Sequence, residues 1–199
     1  MHPSTSTSHS AARHPHPSFD LLVHAYPTPH NYNVHALKKL IGGGADDTNA
    51  PPSQQWLGGD HGDTCTLRMS RALNYSGIHV PANFHGMRTV GGKDKLHYAF
   101  AVQEIHAWLK KKLGPPDIYV KGKPVKRDKF LGKKGIILFD IRFGLNADGV
   151  TRALGHVDLW DGNTFFDEIA HISRPDRDFF NIADAVSLWL CEGKAVLPR

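Results

Sequence analysis

Cysteine is scarce in this chain: 199 residues include only Cys65 and Cys191. That scarcity excludes a disulfide scaffold and a four-cysteine zinc module. Long apolar runs are missing as well. Nothing approaches the ~20 consecutive apolar residues of a membrane span, so membrane insertion is excluded. The first thirty residues lack the apolar core of a secretory signal, so action outside the cytoplasm would require another route of delivery. No H-E-x-x-H motif occurs, and His61, His79, His85, His97, His106 and His171 stand at no zinc-like spacing from carboxylates. Cys65, His156 and Asp158 would need two further ligands of defined spacing, so no metal and no other cofactor is expected.

What is present is ordinary for a globular chain: 40% apolar and 22% charged residues. A chain of this length buries roughly 70% of its unfolded surface, enough for a core without covalent staples. Residues 1–18 are Ser, Thr, His and Pro with almost nothing apolar, which predicts a disordered tail. A single domain is expected over residues 19–199.

The formal charge of +5 is unevenly spread. Residues 110–134 hold ten Lys or Arg (Lys110, Lys111, Lys112, Lys121, Lys123, Lys126, Arg127, Lys129, Lys133, Lys134) against Asp117 and Asp128. The remaining 14 basic and 17 acidic residues leave the rest of the chain at −3. One positive loop of this kind attracts an anionic polymer, or it is simply a solvated lysine-rich excursion. Tyr119 and Phe130 are its only aromatics, too few for base stacking, so nucleic acid is not the expected partner.

Apolar periodicity predicts the elements. Val34, Leu37, Leu40 and Ile41 form a helical stripe after Asn33, a good N-cap, and Gly42-Gly43-Gly44 ends it. Cys65, Met69, Ala72 and Leu73 form a second stripe, capped by Asp63 or Thr64 and closed by Gly77. Residues 78–96 read as irregular. Val102, Ile105, Leu109 and Leu113 form a third stripe, which Gly114-Pro115-Pro116 closes. Residues 135–141 read as a buried strand, and 151–160 alternate, with Val157 and Leu159 on one face and His156, Asp158 and Trp160 on the other. Asp161-Gly162 is a hairpin signal, with residues 163–167 as the returning strand. A last helix is predicted over 179–191. Helices first, then antiparallel strands, then a closing helix make an α+β fold.

Cys65 at the first turn of a helix is the candidate nucleophile. The orphan N–H groups and positive dipole end there favour a thiolate, and cysteines so placed titrate at ~3.5–7.5. The Cys65 N–H would point toward a developing oxyanion. His156 is the candidate base. With a two-residue turn at Asp161-Gly162, Trp160 pairs with Asn163 and His156 falls opposite Asp167, whose carboxylate then fixes the imidazole tautomer. A four-residue turn would instead set Asp158 opposite Asp167, two like charges. Cys191, on the apolar side of its element, is expected to be an inert core thiol.

The blocks Thr64-Cys65-Thr66-Leu67-Arg68-Met69-Ser70 with Leu73-Asn74, and Gly155-His156-Val157-Asp158-Leu159-Trp160-Asp161-Gly162, resemble the fourth family of type VI secretion amidase effectors. The resemblance runs from about Tyr32 to the last predicted element. It implies a papain-like, NlpC-like cysteine peptidase fold with Cys65 as nucleophile, His156 as base and Asp167 as orienting carboxylate. Trp160 and Asp161 are the expected substrate contacts. The implied reaction is hydrolysis of the γ-D-glutamyl–meso-diaminopimelate bond of peptidoglycan stems. The implied setting is export by the type VI apparatus into the periplasm of target bacteria, with a cognate immunity protein as inhibitor. Where the family carries a cysteine pair flanking the third residue, this chain has Phe165 and Ile169. The rival readings are a non-catalytic cell-wall or polyanion-binding module using residues 110–134, and a transglutaminase-like or deamidase toxin on the same triad.

Overall fold

Each of the three apolar stripes folds as a helix in the computed structural model, which describes residues 16–46, 64–142, 155–166 and 178–191. A short helix α1 (Phe19–Ala25) precedes α2 (Val34–Ile41), where the Asn33 side chain accepts from Ala36 N and Gly42 ends the helix at φ 64°. Helix α3 spans Cys65–Tyr75, and α4 spans Val102–Leu113. Between them lies a hairpin, β1 (Thr89–Gly91) and β2 (His97–Ala99), in a stretch that the sequence presented as irregular. The strands are too short for alternation to register.

A four-stranded antiparallel sheet carries the rest: β3 (Ile118–Lys121), β4 (Gly135–Asp140), β5 (His156–Trp160) and β6 (Ala185–Leu190), in the order β3-β6-β4-β5. The expected α+β class with an antiparallel sheet is what the chain adopts. Two element assignments change. The predicted helix over 179–191 is a single helical turn, α5 (Phe179–Ile182), followed by β6, which lies between β3 and β4. Its run Ala-Val-Ser-Leu-Trp-Leu is apolar on both faces, so its spacing fits a buried helix as well as an interior strand, and pairing on both edges decides for the strand. The basic stretch is also more than a loop. Ile118 and Val120 pack against the core while Tyr119 and Lys121 are exposed, the alternation of an edge strand.

Each sheet face covers its own core. On one face Ile136, Leu138, Val157, Leu159 and Trp189 pack with Cys65, Met69, Leu73, Ile105 and Leu109 of α3 and α4. On the other, Ile137, Phe139, Trp160, Val186 and Leu188 meet Phe130, Phe165, Phe179 and Phe180. The basic segment lies over this aromatic layer, with the Arg127 guanidinium 5.0 Å from the Trp160 ring centroid. His16, within the stretch read as tail, is seated with its ring nitrogens 2.7 Å from Leu190 O and 3.0 Å from Leu113 O. Residues 1–15 lie outside the described residues.

The hairpin register corrects another expectation. Trp160 bridges Phe165, not Asn163, so four residues make the turn. Asp161 causes this: its Oδ1 accepts from Asn163 N at 2.8 Å and Thr164 N at 2.7 Å, which turns the chain over four residues. Gly162, at φ 101°, sits where a Cβ would come within 3.2 Å of the Gly132 backbone, and its carbonyl accepts from Gly132 N.

Candidate active site

Helix α3 is buried along nine of its eleven residues, including the polar Thr66, Arg68, Ser70 and Asn74. Buried polar groups call for partners, and those of Arg68, Ser70 and Asn74 pin the helix in place. Ser70 Oγ accepts from Ala99 N at 3.0 Å. The Asn74 amide donates to His97 O and accepts from Val80 N, both at 2.8 Å. Arg68 donates to Thr64 Oγ1, Pro27 O and Tyr32 O, tying the α1–α2 connection to the head of α3. Sequence reasoning passed over these three residues. Their signal was present as polar side chains on the stripe side of a buried helix.

Cys65 is the first residue of α3 and is buried in the core cluster that also holds Met69 and Val157. Thr64 does not make the expected side-chain cap: it has φ −100° and ψ 0°, and its hydroxyl bonds to no first-turn N–H. Asp63, the other cap candidate, lies outside the described residues.

His156 opens β5, opposite Phe139 of β4, and α3 packs against this strand. Its neighbour Gly155, at φ 128°, lets the strand start there. A Cβ would lie 2.6 Å from Phe139 O and 2.9 Å from Val102 Cγ1. The imidazole lies 4.4 Å, centroid to centroid, from Phe179, on the aromatic side of the sheet, while Val157 points into the cluster of Cys65. A carboxylate accompanies it. Asp158 Oδ2 is 3.7 Å from His156 Nε2, and Asp158, fully buried, accepts from Leu159 N through Oδ1. With the four-residue turn, the register argument for Asp167 opposite His156 falls, and Asp167 and Ile169 themselves lie outside the described residues.

Trp160 and Asp161 do not present themselves as substrate contacts. The Trp160 indole is 0% exposed, and its Nε1–H donates to Phe130 O at 2.9 Å. Burial alone would raise the Asp161 carboxyl, but the Thr164 and Asn163 N–H groups and the Thr164 hydroxyl outweigh it and hold it below the usual range. The indole is committed to the aromatic layer and the Asp161 carboxylate to the turn. Burial pushes the Cys191 thiol up to about 12, so it stays a protonated core thiol. Phe165, where the family's cysteine was expected, packs into the aromatic layer. Among the described residues no cluster of three or more His, Cys, Asp or Glu is placed to hold a metal, and no helix is long and apolar enough to cross a membrane.

The profile of Tae4, type VI secretion system amidase effector protein 4, matches residues 61–189, a span that includes Cys65, His156 and Asp167. The chain belongs to the Tae4 family. Solved structures agree. The type VI effector Tae4 from Enterobacter cloacae is 32% identical, with a TM-score of 0.70 over 90% of this chain and 99% of that one. The Tae4–Tai4 effector–immunity complex from the same organism matches at 34% identity and TM-score 0.68, covering 88% of this chain and 99% of that one. The Tae4/Tai4 system of Salmonella typhimurium matches at 27% identity and TM-score 0.68, again over 88% and 99%. No curated protein sequence gives a significant match. Membership makes this chain a type VI secretion amidase effector, a hydrolase family.

Proposed function

We propose that the chain is a cysteine-dependent peptidoglycan amidase of papain-like, NlpC-like organisation, cutting the γ-D-glutamyl–meso-diaminopimelate amide of stem peptides. The observation that carries this reading is Cys65 as the first residue of a pinned, buried helix, inside the segment matched by an amidase effector family. The Cys65 thiolate attacks the scissile carbonyl carbon, and its N–H donates to the oxyanion. His156 gives a proton to the departing diaminopimelate amine as the C–N bond breaks. It then takes a proton from water, which attacks the thioester carbon and releases Cys65 and the glutamyl carboxylate.

The orienting carboxylate is Asp167 on the family resemblance alone. The 3.7 Å contact of Asp158 with the imidazole favours a second reading, in which Asp158 holds the tautomer. Asp167→Asn and Asp158→Asn decide: the variant that folds and loses most of its rate marks the orienting group. As with the complexes of its Enterobacter and Salmonella relatives, a Tai4-type immunity protein is the proposed inhibitor, with the periplasm of a target cell as the place of action.

Incubation with purified muropeptides tests the reading by mass spectrometry. Cleavage at the γ-D-glutamyl–diaminopimelate bond, abolished in Cys65→Ala, is the expected result. Intact stems, or transfer of the acyl group to an amine instead of water, would replace it with the binding or transglutaminase reading.

A further inference from the structure

Helix α3 begins in an unusual way for this chain. At α2 the residue before the helix, Asn33, is extended (φ −62°, ψ 175°) and its side chain accepts from Ala36 N at 2.9 Å, as capping residues do. At α5, Asp178 accepts from Phe180 N at 3.0 Å. Ser18 before α1 makes no such bond, yet it keeps the extended backbone that permits one. Thr64, a residue well suited to capping, has neither the bond nor the backbone for it. Its hydroxyl is engaged elsewhere, accepting from Arg68 Nε at 3.3 Å. Arg68 in turn is anchored by donation to Pro27 O and, at 2.8 Å, to Tyr32 O, and is 2% exposed.

A guanidinium taken out of water is expensive unless its donors are matched, and a leucine would fill this part of the helix with no need of partners. The arrangement makes sense if the bond to Thr64 has a use. A capping hydroxyl at the head of α3 would accept from the same first-turn N–H groups that stabilise a thiolate and a tetrahedral oxyanion at Cys65.

We propose that Arg68 is a positioning residue for Cys65: it holds the Thr64 hydroxyl along the helix and away from its head, keeping the first-turn N–H groups for the sulfur and the oxyanion. This rests on Cys65 being the nucleophile, as proposed above. Releasing Thr64 introduces a competitor for those groups, and removing its hydroxyl as well removes the competitor.

The test is the rate of Cys65 alkylation by iodoacetamide across pH 5–9, followed by intact mass, alongside kcat and KM on muropeptides. Arg68→Met is expected to slow alkylation at neutral pH by about fivefold to tenfold, the size of a cap interaction, and to lower kcat with little change in KM. Thr64→Val alone should stay within about twofold of wild type. The double variant should return to the Thr64→Val rate and pH profile. Arg68→Lys, paired with Thr64→Val in the same way, serves if Arg68→Met does not fold, and keeps the charge while losing the fork. A double variant as slow as Arg68→Met, or an Arg68→Met profile identical to wild type, overturns the proposal. Alkylation needs no substrate, so an enzyme inert on muropeptides would sink the amidase reading while leaving this result to stand or fall separately.

Discussion

Helices α3 and α4 are nearly the same length and pack on the same sheet face, yet they are built on opposite plans. Helix α4 buries six of its twelve residues and turns Lys110, Lys111 and Lys112 to solvent at its C-terminal end, where the dipole favours them. Helix α3 buries nine of eleven, and its polar side chains bond to three separate segments of backbone. The first is an amphipathic helix held by its stripe. The second is held like a part whose exact placement matters, as the nucleophile proposed at its head would require.

Predictions follow from that contrast, beginning with the histidine proposed to act on the thiol at the head of α3. His156→Gln, which keeps most of the buried side-chain volume, should fold and lose ~10²–10⁴ of the muropeptide hydrolysis rate, measured by product mass, since it removes the proposed acid–base group. Equal loss of thermal stability and activity would break the contrast, showing a structural histidine. In α3, Asn74→Ala should destabilise by about 2–4 kcal/mol in denaturant unfolding, because His97 O and Val80 N lose their partner in a buried site. In α4, Leu109→Ala should lose ~2–5 kcal/mol by cavity formation, while its activity per folded molecule stays near wild type.

His106, on α4, sharpens the comparison through pH. Burial, with the nearby Lys110 charge adding to it and Asp140 opposing, pushes its imidazole down to about 4 from the usual 6.5. Its ring lies edge-on to Trp189, with centroids 5.9 Å apart. The folded state therefore binds the proton less well than the unfolded chain. The stability that a neutral His106 contributes is fully present above about 6.5 and is lost as pH falls from there toward about 4. Melting curves between pH 7 and 4.5 should show this loss, and His106→Leu should flatten it. The smallest effect belongs to the exposed charges: Lys111→Ala should shift stability by no more than ~0.5 kcal/mol. Neutralising Lys121, Lys126 and Lys129 together should weaken binding to whole sacculi in a salt-dependent way and leave cleavage of soluble muropeptides unchanged.

Periodicity made α2, α3 and α4 legible, because each buries a stripe at spacing 3.6 and each stops at a glycine. Residues 135–141 were legible as a buried strand from a continuous run of branched and aromatic residues, and β5 from the alternation through Val157 and Leu159. What failed was decided by distant pairing or by one side chain. Ala185–Leu190 becomes a strand because β3 and β4 bond to both its edges, information its own spacing does not contain. The hairpin lengthens because the Asp161 carboxylate reaches two backbone N–H groups, a local bond that outweighs the Asp-Gly turn preference. At the site, Cys65 and His156 could be picked out by residue type and position in their elements. Asp158 was legible on the face of His156, but its contact with the imidazole was not, and Arg68 emerges only once nine of the eleven α3 residues are seen to be buried.

The central claim is that Cys65 carries the acyl group of the stem peptide. Acid-quenching the enzyme during turnover of an excess of muropeptide, then sizing the peptide that contains Cys65, tests it directly. The account predicts a thioester adduct on Cys65 with the mass of the glycan–alanyl-γ-glutamyl part of the muropeptide, and none on Cys191. Continued cleavage by Cys65→Ala, or turnover without any adduct on that sulfur, would contradict it.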